Sequence, residues 1–234
     1  MKDFWIKRYE SGAENKNVLL IFPHWKASVW FYRLFAMLFK DFHTVVYAYA
    51  DSLLSPNISN TIDNFAELET AVLADIKKFQ LSGANQLNIY GVSLGSVIAT
   101  RIASSLAGQG EVIALVLNLS AASFPRSIWE GTATFRIRKS FQKLGVTFGN
   151  LNGAWNFLSP AENMVNLKNS RMLFFLSLPD RVMVPSNVQA LVEEIRRDYP
   201  KVDFHFNRFL GHRLGGIKNL LMTPTIKRFL KQNP

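Results

Sequence analysis

Gly91-Val92-Ser93-Leu94-Gly95 lies where the apolar run Gln86-Leu87-Asn88-Ile89-Tyr90 gives way to the helix-like stretch from Ser96 to Ala103. A serine hydroxyl attacks a carbonyl only when it is held clear of its neighbours, beside a base and near donors for an oxyanion. A sharp strand-to-helix turn supplies the first condition. Gly91 and Gly95 would let the two backbones pass closely, with Ser93 at the strained apex. A glycine-rich turn that only permits close packing would read the same locally. The distinction comes from further along the chain, where an acid and a histidine follow in order.

Asp180 sits in Leu178-Pro179-Asp180-Arg181-Val182-Met183-Val184-Pro185, between an apolar run and a proline that opens a helical pattern. His212 follows Gly211 in a loop-like segment. Asp198 and Asp203 compete for the acid, but read more simply as a cap and a solvated charge. His43 begins one apolar run and His205 lies inside another, so both read as structural. His24 lies in the segment after the first buried run.

Groups at positions 93, 180 and 212 need a scaffold that brings them together. Asn17–Phe22, His43–Tyr49, Gln86–Tyr90, Val112–Leu117, Arg171–Leu176 and Lys201–Phe206 read as strands, the first four continuously apolar and rich in β-branched residues. Helical patterns lie between them at Ser28–Phe39, Thr61–Phe79, Leu94–Leu106, Pro185–Arg197 and Leu214–Lys231, the last expected to kink or split at Pro224. The first nine residues suggest an antiparallel edge strand. The alternation predicts an α/β fold with a mostly parallel twisted sheet and helices on both faces. In such sheets loops converge beyond the carboxyl ends of the strands, and Ser93, Asp180 and His212 each lie just past such an end.

From about Ala121 to Leu158 the alternation breaks. Trp129, Phe135, Phe141, Phe148, Trp155 and Phe157 are scattered there among Gly, Asn, Arg and Lys. This stretch reads as a small helical lid, about 121–165, inserted in a single domain spanning 1–234. Ile137, Phe141 and Leu144 share one helical face and Arg136, Lys139 and Lys143 largely the other. A lid with its apolar face over a pocket fits, with Trp129 and Trp155 as substrate contacts. A helix resting on anionic membrane, or one packed on its own core, fits the same pattern.

Lys and Arg outnumber Asp and Glu 27 to 17, a net charge of +10 that reads first as a generally basic surface and otherwise as attraction to anionic partners such as lipid, acyl carriers or coenzyme A. No dense basic run interleaved with aromatics occurs, and a chain without cysteine has no zinc-finger spacing, so nucleic-acid binding is not expected. The absence of cysteine also removes disulfides, thiolate metal sites and thiol nucleophiles. With 48% hydrophobic and 19% charged residues, the composition suits a compact domain. No signal-peptide stretch opens the chain, and Val29–Phe39 and Val112–Leu119 are too short to span a bilayer, so a cytoplasmic location is expected.

Taken together, Gly91–Gly95, Leu178–Pro185 and Leu210-Gly211-His212 resemble the α/β-hydrolase superfamily, with agreeing element order over nearly the whole chain. The resemblance implies a Ser-Asp-His triad of Ser93, Asp180 and His212. It also implies an oxyanion hole from the amides of Leu94 and Trp25. The loop Phe22-Pro23-His24-Trp25 departs from the superfamily pattern, since Pro23 and His24 stand where His and Gly are common; His24 is placed as a substrate contact. The implied chemistry is hydrolysis of a small-molecule carboxylic ester or thioester through an acyl-serine intermediate, on apolar acyl or aromatic substrates. Neither metal nor organic cofactor is called for. Two alternatives share the fold. One is a membrane-surface lysophospholipase or acyltransferase using Arg136, Arg138, Lys139 and Lys143; the other is a non-catalytic binding protein. The residues do not speak to oligomeric state.

Overall fold

The computed structural model describes residues 4–199 and 202–232. Its strands are β1 (Ile6–Ser11), β2 (Asn17–Phe22), β3 (His43–Tyr49), β4 (Gln86–Val92), β5 (Ala114–Asn118), β6 (Arg171–Ser177) and β7 (Val202–Asn207). They form one sheet in the order β1-β3-β2-β4-β5-β6-β7. Only β1 runs antiparallel, pairing Ile6 with Tyr49 at one end and Ser11 with Thr44 at the other. The remaining pairs are parallel. Residues 1–3 of the expected edge strand, and Lys201 of the last, lie outside the described residues.

Adjacent residues of β2 serve opposite faces, as the twofold repeat of a strand requires. Leu19 and Ile21 join Tyr32, Phe35 and Phe39 of α1 (Val29–Met37) and the loop after it. Leu220 of α9 (His212–Leu220) and Ile226 and Phe229 of α10 (Thr223–Lys231) complete that layer. Leu20 and Phe22 face Phe65 and Leu68 of α2 (Ile58–Leu81), Ile98 of α3 (Leu94–Ala107) and Leu191 of α8 (Pro185–Asp198). A central strand covered on both sides has no polar face, which explains the unbroken apolar runs.

Local signals set the ends of these helices. Asn57 caps α2, its side chain accepting from the amides of Ser59 and Asn60 at 3.0 and 3.4 Å. That cap starts the helix three residues earlier than the apolar spacing suggests. Pro224 falls in the first turn of α10, so the final pattern splits in two as expected. Its first half begins at His212 rather than Leu214, with Gly211 as the residue before it.

Four short helices fill the segment between β5 and β6: α4 (Phe124–Glu130), α5 (Phe135–Lys143), α6 (Phe148–Trp155) and α7 (Pro160–Asn163). Trp155 is fully buried here and corrects the substrate-contact expectation. Its ring stacks on Phe124 at 5.4 Å and meets Phe141 edge-on at 5.5 Å, while its indole N–H donates to the Ile58 carbonyl at 3.2 Å. Trp129 packs beside Phe148 at 6.1 Å. The apolar face of α5 is also redirected: Ile137 and Phe141 enter the core and Leu144 is left exposed.

The root of this segment is tied to α8. The buried Asn187 side chain donates to the Ser123 carbonyl at 2.8 Å and to Ser127 Oγ at 2.9 Å, and its oxygen accepts from the Ser123 amide at 2.9 Å. The Thr132 amide donates to the Arg181 carbonyl at 3.1 Å. A β-carbon added at Gly131 would lie 2.4 Å from the Val182 carbonyl oxygen, so only glycine allows this approach. Among the described residues, no helix is long and apolar enough to cross a membrane.

Candidate active site

The chain turns to opposite sides of the sheet after β2, first out to β3 and then back across to β4, so the carboxyl ends of β2 and β4 border a crevice. Ser93 stands there. Its backbone has φ 55° and ψ −118°, a region that side chains beyond glycine rarely occupy. The surroundings enforce it: the Ser93 amide donates to the Asn118 carbonyl at 2.8 Å, and the Ser93 carbonyl accepts from Ser96 Oγ at 2.6 Å. The flanking glycines are steric requirements. A β-carbon at Gly91 would fall 2.6 Å from Ala99 Cβ, and one at Gly95 would fall 2.0 Å from the Phe22 carbonyl oxygen.

The turn brings Ser93 Oγ within 3.0 Å of His212 Nε2. On the other side of that ring, Nδ1 lies 2.7 Å from Asp180 Oδ2. Asp180 is 1% exposed, and its Oδ1 accepts from the amides of Val182 and Met183 at 2.8 and 2.9 Å. These two donors turn the carboxylate so that its free oxygen meets the imidazole. The Nδ1–H tautomer follows, leaving the Nε2 lone pair toward the serine hydroxyl.

Polar groups that the sequence reading did not single out hold the histidine in place. Asn207 Oδ1 accepts from the amides of Phe209 and Leu210 at 3.2 and 3.1 Å, and Ser177 Oγ donates to the Leu210 carbonyl. Further along α9, Asn219 donates to Asn118 Oδ1 at 2.8 Å, and Asn118 donates to the Tyr90 hydroxyl at 3.2 Å. An Asn-x-x-Leu turn signal just before Gly211-His212 is the one cue that could have revealed the first of these.

Ser93 and His212 open onto a cavity of about 900 Å³. Leu54, Val97, Leu119, Phe124, Ile128 and Met183 give it an apolar interior, while Lys26, Arg136 and Arg213 also line it. Trp129 and Trp155 are not among its walls; Phe135 and Arg136 are the contribution of α5. Leu94 and Trp25 both border the cavity. As the first residue of α3, Leu94 has an amide with no carbonyl one turn back to bind. In the β2–α1 loop, the Tyr49 hydroxyl donates to the Pro23 carbonyl, the Trp25 indole donates to the Asp51 carbonyl at 2.9 Å, and Lys26 turns the backbone at φ 60°.

His24 also lines the cavity, with Nδ1 2.8 Å from the Tyr32 hydroxyl, which accepts from the His24 amide at 3.3 Å. Burial, then the nearby His212 and Arg213, hold the His24 imidazole below its ordinary value. Burial pushes the Tyr32 phenol up, so it keeps its proton and donates to Nδ1. His24 is therefore neutral, with its remaining N–H on Nε2.

The thioesterase domain family matches residues 17–139, from β2 through the Ser93 turn to α5. The chain belongs to the thioesterase domain family. It is a hydrolase of the ester and thioester class within the α/β-hydrolase superfamily. Solved structures share the fold over the rest of this thioesterase-family chain. The Pyrococcus horikoshii acylaminoacyl peptidase is 15% identical with a TM-score of 0.69, covering 100% of this chain and 43% of its own. An alpha/beta hydrolase enzyme from a Medee basin deep-sea metagenome library is 16% identical with a TM-score of 0.60, covering 100% and 96%. The type II thioesterase BorB from the borrelidin biosynthetic cluster is 13% identical with a TM-score of 0.58, covering 97% and 98%. At these identities the likeness is one of fold. No curated protein sequence matches the chain.

Proposed function

We propose that the protein is a serine hydrolase that cleaves carboxylic esters or thioesters with apolar acyl groups through an acyl-Ser93 intermediate. The reading rests on one observation: Ser93 Oγ, His212 and Asp180 form a continuous hydrogen-bonded line, at 3.0 and 2.7 Å, on the wall of a largely apolar cavity.

Ser93 Oγ bonds to the substrate carbonyl carbon while His212 Nε2 takes the hydroxyl proton. Asp180 accepts the Nδ1–H bond and stabilises the imidazolium. Negative charge on the carbonyl oxygen is met by the amides of Leu94 and Trp25. As the tetrahedral species collapses, the bond to the leaving oxygen or sulfur breaks and Nε2 returns the proton to that atom. Water then attacks the acyl-serine, giving its proton to Nε2, and the acid leaves as Ser93 recovers its hydrogen. His24 contributes a neutral N–H as a substrate contact beside this centre. The chain works as one domain, with the inserted helices α4–α7 capping the acyl site through the stretch from Thr132 to Arg136.

Labelling with a fluorophosphonate tests the assignment. Wild type should be labelled and Ser93→Ala should not; label that persists in Ser93→Ala would assign the nucleophile elsewhere. A matched series of chromogenic oxygen esters and thioesters of increasing acyl length then reads the substrate class.

A further inference from the structure

Two stretches of the chain hold an excess of cations equal to the net charge. Residues 15–40 and 204–234 contain ten Lys and Arg and no Asp or Glu, matching the whole net charge of +10, while the other seventeen cations are balanced by seventeen acids. The first stretch builds α1 and the second builds α9 and α10, which cover the same face of the sheet. Lys227 and Lys231 are paired with Asp41, at 3.1 and 2.8 Å. Among the described residues, Arg33, Arg213 and Lys218 make no ion pair.

The same face is apolar where it meets solvent. Trp30 and Leu34 of α1, with Leu38 at its C-cap, form an outward stripe at helical spacing, opposite the inward Tyr32, Phe35 and Phe39. Leu214 and Ile217 of α9, with Leu221 just past its end, do likewise, with Trp30 68% and Leu221 76% exposed. A helix that is apolar inside and outside has a second apolar phase to meet. The two stripes border the mouth of the cavity, since Phe31 beside the first and Ile217 within the second line it while remaining exposed.

We propose that this α1/α9 face docks on an anionic phospholipid surface, so that the cavity mouth opens directly onto the lipid. Apolar side chains enter the acyl boundary while Lys26, Arg33, Arg213 and Lys218 meet lipid phosphates. A second copy of the chain would set this positive face against itself. An acidic protein partner would satisfy the cations but leave six large apolar side chains to a polar surface. The assignment differs from the contact weighed for α5, whose Ile137 and Phe141 are buried in the core.

Flotation with vesicles of phosphatidylcholine alone, or with phosphatidylglycerol added, tests the proposal on the full chain. The wild type should float with the anionic vesicles, and its bound fraction should fall in high salt. The triple variant Trp30→Gln/Leu34→Gln/Leu221→Gln should bind about tenfold less, with unchanged circular dichroism and unchanged hydrolysis of a short soluble ester. Ser93→Ala should float like wild type, which separates docking from the catalytic assignment. Three results would overturn it: wild type that stays off the anionic vesicles, a triple variant that binds as well as wild type, or a stable dimer that the triple variant dissociates. Equal binding to neutral and anionic vesicles would overturn the electrostatic half.

Discussion

Replacing Asp180 with asparagine should silence the site while leaving its geometry in place. Asp180 Oδ1 faces two amide donors, those of Val182 and Met183, and its other oxygen faces His212 Nδ1. In Asp180→Asn the remaining carbonyl oxygen must stay with the two amides, because the reverse orientation would point an NH₂ group at two N–H donors. The side-chain NH₂ then faces Nδ1, which can only accept. The ring proton moves to Nε2 and points at the Ser93 hydroxyl, so no lone pair is left to take the proton. That tautomer reversal lowers kcat by about 10⁴-fold in Ser-His-Asp sites, which is about 5 kcal/mol of barrier. KM should change little, since Asp180 lies behind the histidine. Stability should also change little, by about 1 kcal/mol, or about 2–4 °C in Tm for a domain of this size. Asp180→Ala differs in kind: it leaves the half-buried Val182 amide and the buried Met183 amide without an acceptor, at about 1–3 kcal/mol for the buried one. Initial rates on a chromogenic ester, paired with thermal melts, separate the cases. An Asn variant that keeps more than about a tenth of wild-type kcat would refute the tautomer argument.

Three other outcomes follow from the same geometry. Gly95→Ala should destabilise the chain by about 3 kcal/mol or more, because the new methyl meets the backbone carbonyl of Phe22 rather than a side chain that can move; a denaturant midpoint equal to wild type would contradict this. Ser93→Gly should be more stable than Ser93→Ala by about 1 kcal/mol, since both lose the hydroxyl but only glycine is at ease at φ 55°; equal urea midpoints would mean the turn is unstrained. His24 is held below its ordinary value of 6.5 by burial, His212 and Arg213, so below that pH the unfolded chain binds a proton that the folded chain refuses. Its share of stability is complete above 6.5 and falls as pH drops toward the folded value. Urea titrations of His24→Gln should therefore show a shallower acid decline than wild type, and parallel curves would remove His24 from the balance.

The elements that carry the site were largely legible because strand and helix periods differ so clearly in a doubly covered sheet. β2, β4 and α3 were bounded to within two residues, and residues 93, 180 and 212 fell at the strand ends that topology later joined. The aromatic segment was legible in composition but not in direction. A run of Trp and Phe shows that a helix has something to bury against, yet not whether that something is a core or a cavity. Trp155 found Phe124 and Phe141, and the apolar side of α5 followed it inward. Long-range polar ties were equally invisible: nothing in the spacing links Asn219 to Asn118, or Asn187 to Ser123. The Asn57 cap lay one turn before the apolar spacing made a helix evident. The partnership of His24 with Tyr32 depends on how the β2–α1 loop folds back on the helix it precedes.

The weld between the inserted segment and the loop that bears Asp180 limits how this cavity can adapt. Asn187 holds Ser123 and Ser127, Thr132 is tied to Arg181, and Gly131 presses on Val182, the residue whose amide steadies the carboxylate. Widening the cavity at that wall would disturb the same loop that aims the acid. Room for a bulkier or longer guest has to be found at the opposite rim, where α1 and α9 meet solvent. Evolution toward new substrates should therefore leave its changes on those two helices and spare the stretch from Ser123 to Thr132.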